Sequence, residues 1–237
     1  MEEFVAVSDG TLWTQRQGQG PPVVLLPGGP GCCDYLGPVA DLLADRFTTL
    51  RYEPRGCGRS TRAGRFDLDE CVKDLERIRM HFGWTEWCVL GHSWGANLGL
   101  LLAILCPESV RALVYLSGNG IQNDRQWNEI YAVARDAGEE HEPEWLFEPN
   151  PDVNRKLIEA WQAHVKRPAM LCEIAAVAVP TLVLYGERDI RPAWPAEQLA
   201  SLMPNARFEL LADADHYVWR AERKRMQVLL VEFLSSL

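Results

Sequence analysis

Gly91-His92-Ser93-Trp94-Gly95 stands between a short apolar run ending at Leu90 and a strongly apolar helical run, Ala96 to Leu105. A glycine on either side of the serine suits a turn so sharp that neighbouring backbone leaves no room for a side chain. Strand, tight turn and helix together lift a serine hydroxyl to the carboxyl end of a sheet, where open α/β sheets bind ligands. Alternation of apolar strand-type and helix-type runs in the rest of the chain would argue for a mainly parallel sheet with helices on both faces around this turn.

The chain does alternate in this way. Val23 to Leu26, Phe47 to Tyr52, Trp87 to Leu90, Val110 to Leu116, Val179 to Tyr185 and Arg207 to Leu211 read as strands. Asp67 to Phe82 reads as a helix: Asp67 can cap it, Glu70 follows three residues on, and Cys71, Leu75, Ile78 and Phe82 recur at the helical period. An amphipathic helix through Val228, Leu229 and Phe233 closes the chain, with the basic stretch Arg220 to Arg225 on its exposed side. The alternation breaks once, between Ile121 and Cys172, where no convincing strand occurs. The expected organisation is therefore a core of residues 1–120 and 174–237 with a small helical cap, residues 121–173. Two extra core-packing helices would give the same pattern. Trp127, Trp145 and Trp161 fall in this stretch and are the candidate substrate-binding residues, beside an acidic run at Glu139, Glu140, Glu142 and Glu144.

A serine hydroxyl becomes a good nucleophile only when a neighbouring base takes its proton. Of five histidines, His81 lies at a helix end, His92 lies inside the turn and should point elsewhere, and His141 and His164 lie in the cap stretch. His216, in Asp213-Ala214-Asp215-His216-Tyr217, sits on the loop between the last strand and the last helix. Asp189, past the strand Val183 to Tyr185 and the turn at Gly186, is the candidate acid that orients the imidazole. Asp124 is a backup; Asp213 and Asp215 are too near the histidine in sequence to face its ring, and Glu187 and Arg188 read as surface residues. The order serine, acid, histidine fits the triad of this sheet type. Two amide donors for a developing oxyanion are expected from Trp94, after the nucleophile, and from Gly29, in Pro27-Gly28-Gly29-Pro30-Gly31. No Gly-Lys-Ser/Thr follows those glycines, which argues against a phosphate loop.

The composition excludes several classes. A net charge of -9 disfavours nucleic acid and anionic membranes. The longest apolar run, Leu98 to Cys106, is too short for a bilayer, and Met1-Glu2-Glu3-Phe4 lacks a secretory apolar segment. Seven cysteines, an odd number without ligand spacing, suggest reduced thiols, a cytoplasmic location and no metal. No cofactor is expected, and a homo-oligomer stays open.

Three stretches resemble the α/β-hydrolase superfamily: Pro27 to Gly31, Tyr52-Glu53-Pro54-Arg55-Gly56-Cys57-Gly58-Arg59-Ser60, and Gly91 to Gly95. They are most similar to the branch containing proline iminopeptidases. That branch begins its glycine loop with His where this chain has Pro27, and carries larger caps. The resemblance implies a Ser93, Asp189, His216 triad. The Arg55-Gly56-Cys57-Gly58 segment is expected to form a structural turn under the site. A serine nucleophile argues against the dehalogenase and epoxide hydrolase relatives, which use aspartate. The leading expectation is hydrolysis of small carboxylic esters or related acyl compounds through an acyl-enzyme. The alternatives are an iminopeptidase-like aminopeptidase whose cap glutamates hold a free amine, a carbon–carbon hydrolase or lyase using the triad, and a non-hydrolytic small-molecule receptor.

Overall fold

The computed structural model describes residues 1–121, 125–138 and 142–237. Its strands are β1 (Glu2–Val7), β2 (Gly10–Gln17), β3 (Pro22–Leu26), β4 (Thr48–Tyr52), β5 (Trp87–His92), β6 (Val110–Leu116), β7 (Thr181–Gly186) and β8 (Ala206–Leu211). They form one sheet in the order β1-β2-β4-β3-β5-β6-β7-β8. From β4 to β8 every pairing is parallel, and β2 joins β1 and β4 antiparallel. The helices are α1 (Gly37–Leu43), α2 (Leu68–His81), α3 (Trp94–Leu105), α4 (Arg125–Asp136), α5 (Pro151–Val165), α6 (Met170–Ala175), α7 (Trp194–Leu202) and α8 (Arg223–Ser235). This is the α/β-hydrolase fold.

The central strands are apolar on both faces because both faces are covered. Val24, Leu26, Val89, Leu113 and Val183 pack on one side with α2 and α3. Their neighbours Val23, Leu25, Leu90, Val114 and Leu182 pack on the other with α1 and α8. A one-residue slip would exchange the two cores, so register is firmly set. In α2 the Asp67 side chain accepts from Glu70 N, as the capping pattern predicts. In α8 the buried face is Met226, Leu230 and Leu234, with Val228 exposed, so the inward stripe is rotated from the one through Val228, Leu229 and Phe233.

Four elements depart from the sequence reading. β1 and β2 carry Glu2, Glu3, Thr14, Gln15, Arg16 and Gln17, so neither is a continuous apolar run. They lie at the antiparallel end of the sheet, where β1 at the edge fully buries only Val5 and β2 buries Leu12, Trp13 and Thr14 in succession. α1 and α7 open on Gly37-Pro38 and Trp194-Pro195 and have no counterpart among the helices expected from the sequence. Proline in the first helical turn loses only an N–H that had no intrahelical partner.

Between β6 and β7 lie α4, α5 and α6, with no strand among the described residues. The turn through Arg55 supports the start of α5: Asn150 Nδ2 donates to Gly56 O at 2.9 Å, and a Cβ on Gly56 would stand 2.5 Å from Val153 Cγ2. Arg55 itself is buried. Its Nε and Nη2 donate to Asp74 Oδ2 and Oδ1 at 3.0 and 2.8 Å, and it also pairs with Asp9 and Glu70. Lysine keeps the charge but not the planar two-pronged match to Asp74. Arg55→Lys should therefore cost about 1–2 kcal/mol, read as a lower midpoint in urea unfolding at unchanged slope.

Candidate active site

Ser93 is held by backbone. It has φ 56° and ψ -119°, between the last residue of β5 and the first of α3, and its N–H donates to Leu116 O at 2.8 Å. A Cβ on Gly91 would lie 2.5 Å from Ala96 N, and one on Gly95 would overlap the Leu26 carbonyl. Both glycines are thus required by close backbone approach. Among the described residues the Ser93 hydroxyl makes no hydrogen bond within the protein. Catalytic hydrogen bonds are often long before substrate arrives.

The glycine loop after β3 lies against this turn. A Cβ on Gly28 would stand 2.9 Å from Ser93 Cβ. Gly29 and Gly31 have φ of 121° and 97°, a region that disfavours other residues. α5 fixes the far side of the loop: Asn150 N donates to Gly31 O at 2.8 Å and Asn154 Nδ2 to Pro30 O at 2.7 Å. Gly28 N–H is occupied by Tyr35 Oη at 2.8 Å, whereas the Gly29 and Trp94 amides have no acceptor among the described residues.

His216 and Asp189 meet as the order of the chain predicts. His216 Nδ1 is 2.6 Å from Asp189 Oδ2. A carboxylate can only accept, so in the neutral ring the proton sits on Nδ1 and Nε2 is the free acceptor. The other carboxylate oxygen accepts from Arg191 N at 2.9 Å and Arg191 Nη1 at 3.3 Å. Burial pushes the Asp189 carboxyl up, but His216 and Arg191 outweigh it and hold it below the ordinary range. Asp189 is therefore anionic at neutral pH. The alternative acids lie elsewhere: Asp213 pairs with Arg188 at the surface, and Asp215 Oδ1 accepts from Tyr217 N at 2.8 Å. Asp124 lies outside the described residues.

Ser93, His216 and Gly29 line one cavity of ≈ 230 Å³. Its aromatic wall is Tyr35, Tyr131, Trp145 and Tyr217, and Glu142, Asn154 and Arg191 add polar groups. Of the three candidate tryptophans only Trp145 is among the lining residues. Trp127 is buried with its Nε1 donating to Pro192 O at 3.0 Å, and Trp161 packs edge-on against Trp94 at 5.9 Å. Both fill the junction between the helices and the core, a role that an apolar ring in a helix-rich stretch serves equally well in sequence. In the acidic run, Glu142 and Glu144 are both exposed, and Glu142 lines the cavity; Glu139 and Glu140 lie outside the described residues, as does His141. His81 is exposed beside Glu3, and His164 stacks on Trp161. Sequence reasoning missed Arg191, Tyr35, Tyr131 and Asn154. Arg191 carried a signal: two residues after a buried aspartate, its amide can close a turn onto the carboxylate.

Cys32 also lines the cavity, but burial first, then Cys33 and Glu142, push its thiol up to about 12, so it stays protonated. No group of three metal-ligating side chains is arranged to hold an ion among the described residues, and no described helix is long and apolar enough to cross a membrane.

The chain matches the alpha/beta hydrolase fold family over residues 21–137. It is 25% identical to the proline iminopeptidase of Heyndrickxia coagulans, over 100% of this chain and 99% of that protein. It is 27% identical to the mouse serine hydrolase BPHL, over 98% of this chain and 85% of that one. Among solved structures it superposes on a thermophilic esterase from Thermogutta terrifontis with a TM-score of 0.81, at 20% identity, covering 100% of this chain and 98% of the other. With its eight-stranded, mostly parallel sheet and its Gly91 to Gly95 turn, the chain has the α/β-hydrolase fold, and the family match and the full-length relative support an assignment to the α/β-hydrolase superfamily near the proline iminopeptidase branch.

Proposed function

We propose that this chain is a serine hydrolase of small carboxylic esters or related acyl compounds. One observation carries the reading: Ser93 and the Asp189-bound His216 share a cavity with Gly29, whose loop lies against the Ser93 turn. His216 Nε2 takes the Ser93 proton as the hydroxyl oxygen attacks the acyl carbon. The developing oxyanion is met by the Gly29 and Trp94 amides. His216 then returns the proton to the leaving alkoxide, and a water activated by the same nitrogen releases the acid. Asp189 stays ionised throughout and stabilises the imidazolium. A cavity of ≈ 230 Å³ lies below the roughly 300–1,000 Å³ of most ligand pockets, which favours a short acyl group.

A second reading has its own observation. Glu142 lines the same cavity and accepts from Trp145 Nε1 at 3.1 Å, so a carboxylate stands where a substrate's free amino group could pair with it. That arrangement, and the iminopeptidase relative, support cleavage of short peptides with an N-terminal proline. A matched panel separates the two: short and medium p-nitrophenyl esters, prolyl p-nitroanilide and its N-acetyl form, each assayed with wild type and Ser93→Ala. Ser93-dependent turnover of esters with both anilides untouched is the expected result. Cleavage of the free prolyl anilide alone would replace it with the peptidase reading. Tight binding without turnover would support a receptor instead.

A further inference from the structure

His92, the residue before the candidate nucleophile, was expected to point away from the chemistry. Its ring is fully buried, yet it touches both loops that serve Ser93. Nε2 lies 2.9 Å from the backbone oxygen of His216, and Nδ1 lies 2.6 Å from Tyr35 Oη. Tyr35 Oη in turn accepts from Gly28 N–H at 2.8 Å. We propose that Tyr35 and His92 are positioning residues, a directed hydrogen-bond relay that holds the glycine loop and the His216 loop in register on either side of Ser93. The relay rests on the serine-hydrolase reading for its purpose but not for its geometry.

The direction of each link is dictated by the groups present. A peptide carbonyl can only accept, so His92 Nε2 carries a proton. In the neutral ring Nδ1 is then an acceptor, and the Tyr35 hydroxyl must donate to it. That leaves the Tyr35 oxygen lone pairs for Gly28 N–H. Every donor meets an acceptor, from the amide next to Gly29 to the carbonyl of the candidate base. Protonating His92 would place a hydrogen on Nδ1 and displace the Tyr35 proton from its acceptor, so the relay requires a neutral ring. Its surroundings keep it neutral. Burial is the largest influence, and with the charges of the His216 ring, Arg191 and Arg220 it outweighs the hydrogen bond to the His216 carbonyl, which acts the other way, holding His92 well below the usual histidine range. The titratable rings packed on it are Tyr35, Tyr217 and His216, with centroids 5.6, 5.5 and 4.7 Å away, and Trp219 covers it edge-on at 4.8 Å. Tyr35 is clamped too, edge-on to Trp145 and stacked on Trp219.

Two single variants cut the same link from opposite sides. Tyr35→Phe removes the hydroxyl. His92→Gln keeps an amide N–H in the position of Nε2 for the His216 carbonyl but has no acceptor at the position of Nδ1. Each should lower kcat on the accepted ester about 10- to 100-fold with little change in KM, because a misplaced oxyanion donor is felt in the transition state. The double variant should be no slower than the slower single, since one link is lost once. In the wild-type protein, nitrogen NMR of the His92 side chain should show protonated Nε2 and unprotonated Nδ1, unchanged between about pH 5 and 8. Wild-type kcat in Tyr35→Phe, losses that multiply in the double variant, or a His92 ring that titrates in that range would each overturn the relay. If the variants fail to fold, the NMR result still decides. Turnover that survives Ser93→Ala would overturn the hydrolase reading instead and leave the tautomer result standing.

Discussion

Ser93→Ala should slow the acylation step on any accepted ester about 10⁴- to 10⁶-fold while the protein unfolds at nearly its parent temperature. The two halves of this expectation have separate causes. In the proposed mechanism the oxygen removed is the atom that forms the acyl bond, so the loss in rate is large: the amides of Gly29 and Trp94 and the His216–Asp189 pair would then only assist water. The stability hardly moves because the Ser93 hydroxyl makes no hydrogen bond within the described protein, and alanine must adopt the same φ of 56° that serine does. Rapid mixing with a p-nitrophenyl ester, with a thermal melt of the same samples, reads both quantities. Turnover near the parent rate would remove Ser93 from the mechanism. A large drop in melting temperature would mean that the hydroxyl supports the turn, and the rate loss could no longer be assigned to chemistry.

The parallel half of the fold and the pairing of Asp189 with His216 were legible because single residues carried them. Strands β3 and β5 to β7 are apolar on both faces, so short uninterrupted runs identified them. Gly91, Ser93 and Gly95 had no other local use than a turn with backbone against backbone. Asp189 and His216 followed from their places after the last two strands, and the structure brings their side chains within 2.6 Å. What escaped the sequence depended on partners distant along the chain. β1 and β2 are strands because they pair with each other and with β4, and their polar residues conceal it. Trp127, Trp145 and Trp161 look alike in sequence; only the fold lines the cavity with Trp145 and spends the other two on packing. Tyr35, His92 and the His216 carbonyl are separated by 57 and 124 residues, and no local pattern joins them.

Gly95→Ala should lower stability by more than about 3 kcal/mol, beyond the usual cost of overpacking. Ordinarily glycine to alanine inside a helix is stabilising, because alanine has the higher helix propensity. Here the sign reverses. Gly95 is the second residue of α3, and a Cβ there would overlap the Leu26 carbonyl and lie 2.6 Å from Leu26 C and 2.8 Å from Pro27 O. Those are backbone atoms of β3 and of the loop leading to Gly28 and Gly29, so no side chain can rotate to make room. Either α3 or the end of β3 must move, and both carry the site: α3 supplies the Trp94 amide, and β3 leads into the Gly29 amide. Activity should therefore fall with stability. Gly37→Ala is the matched control, at the start of α1 with only the flexible Arg51 guanidinium 3.4 Å from its new Cβ, and it should leave stability unchanged or slightly raised. For a chain of this size the difference between the two variants corresponds to about 6–12 °C in melting temperature. Equal melting temperatures would mean that the strand and the helix are not in backbone contact at Gly95, and the close approach that shapes the turn around Ser93 would need another cause.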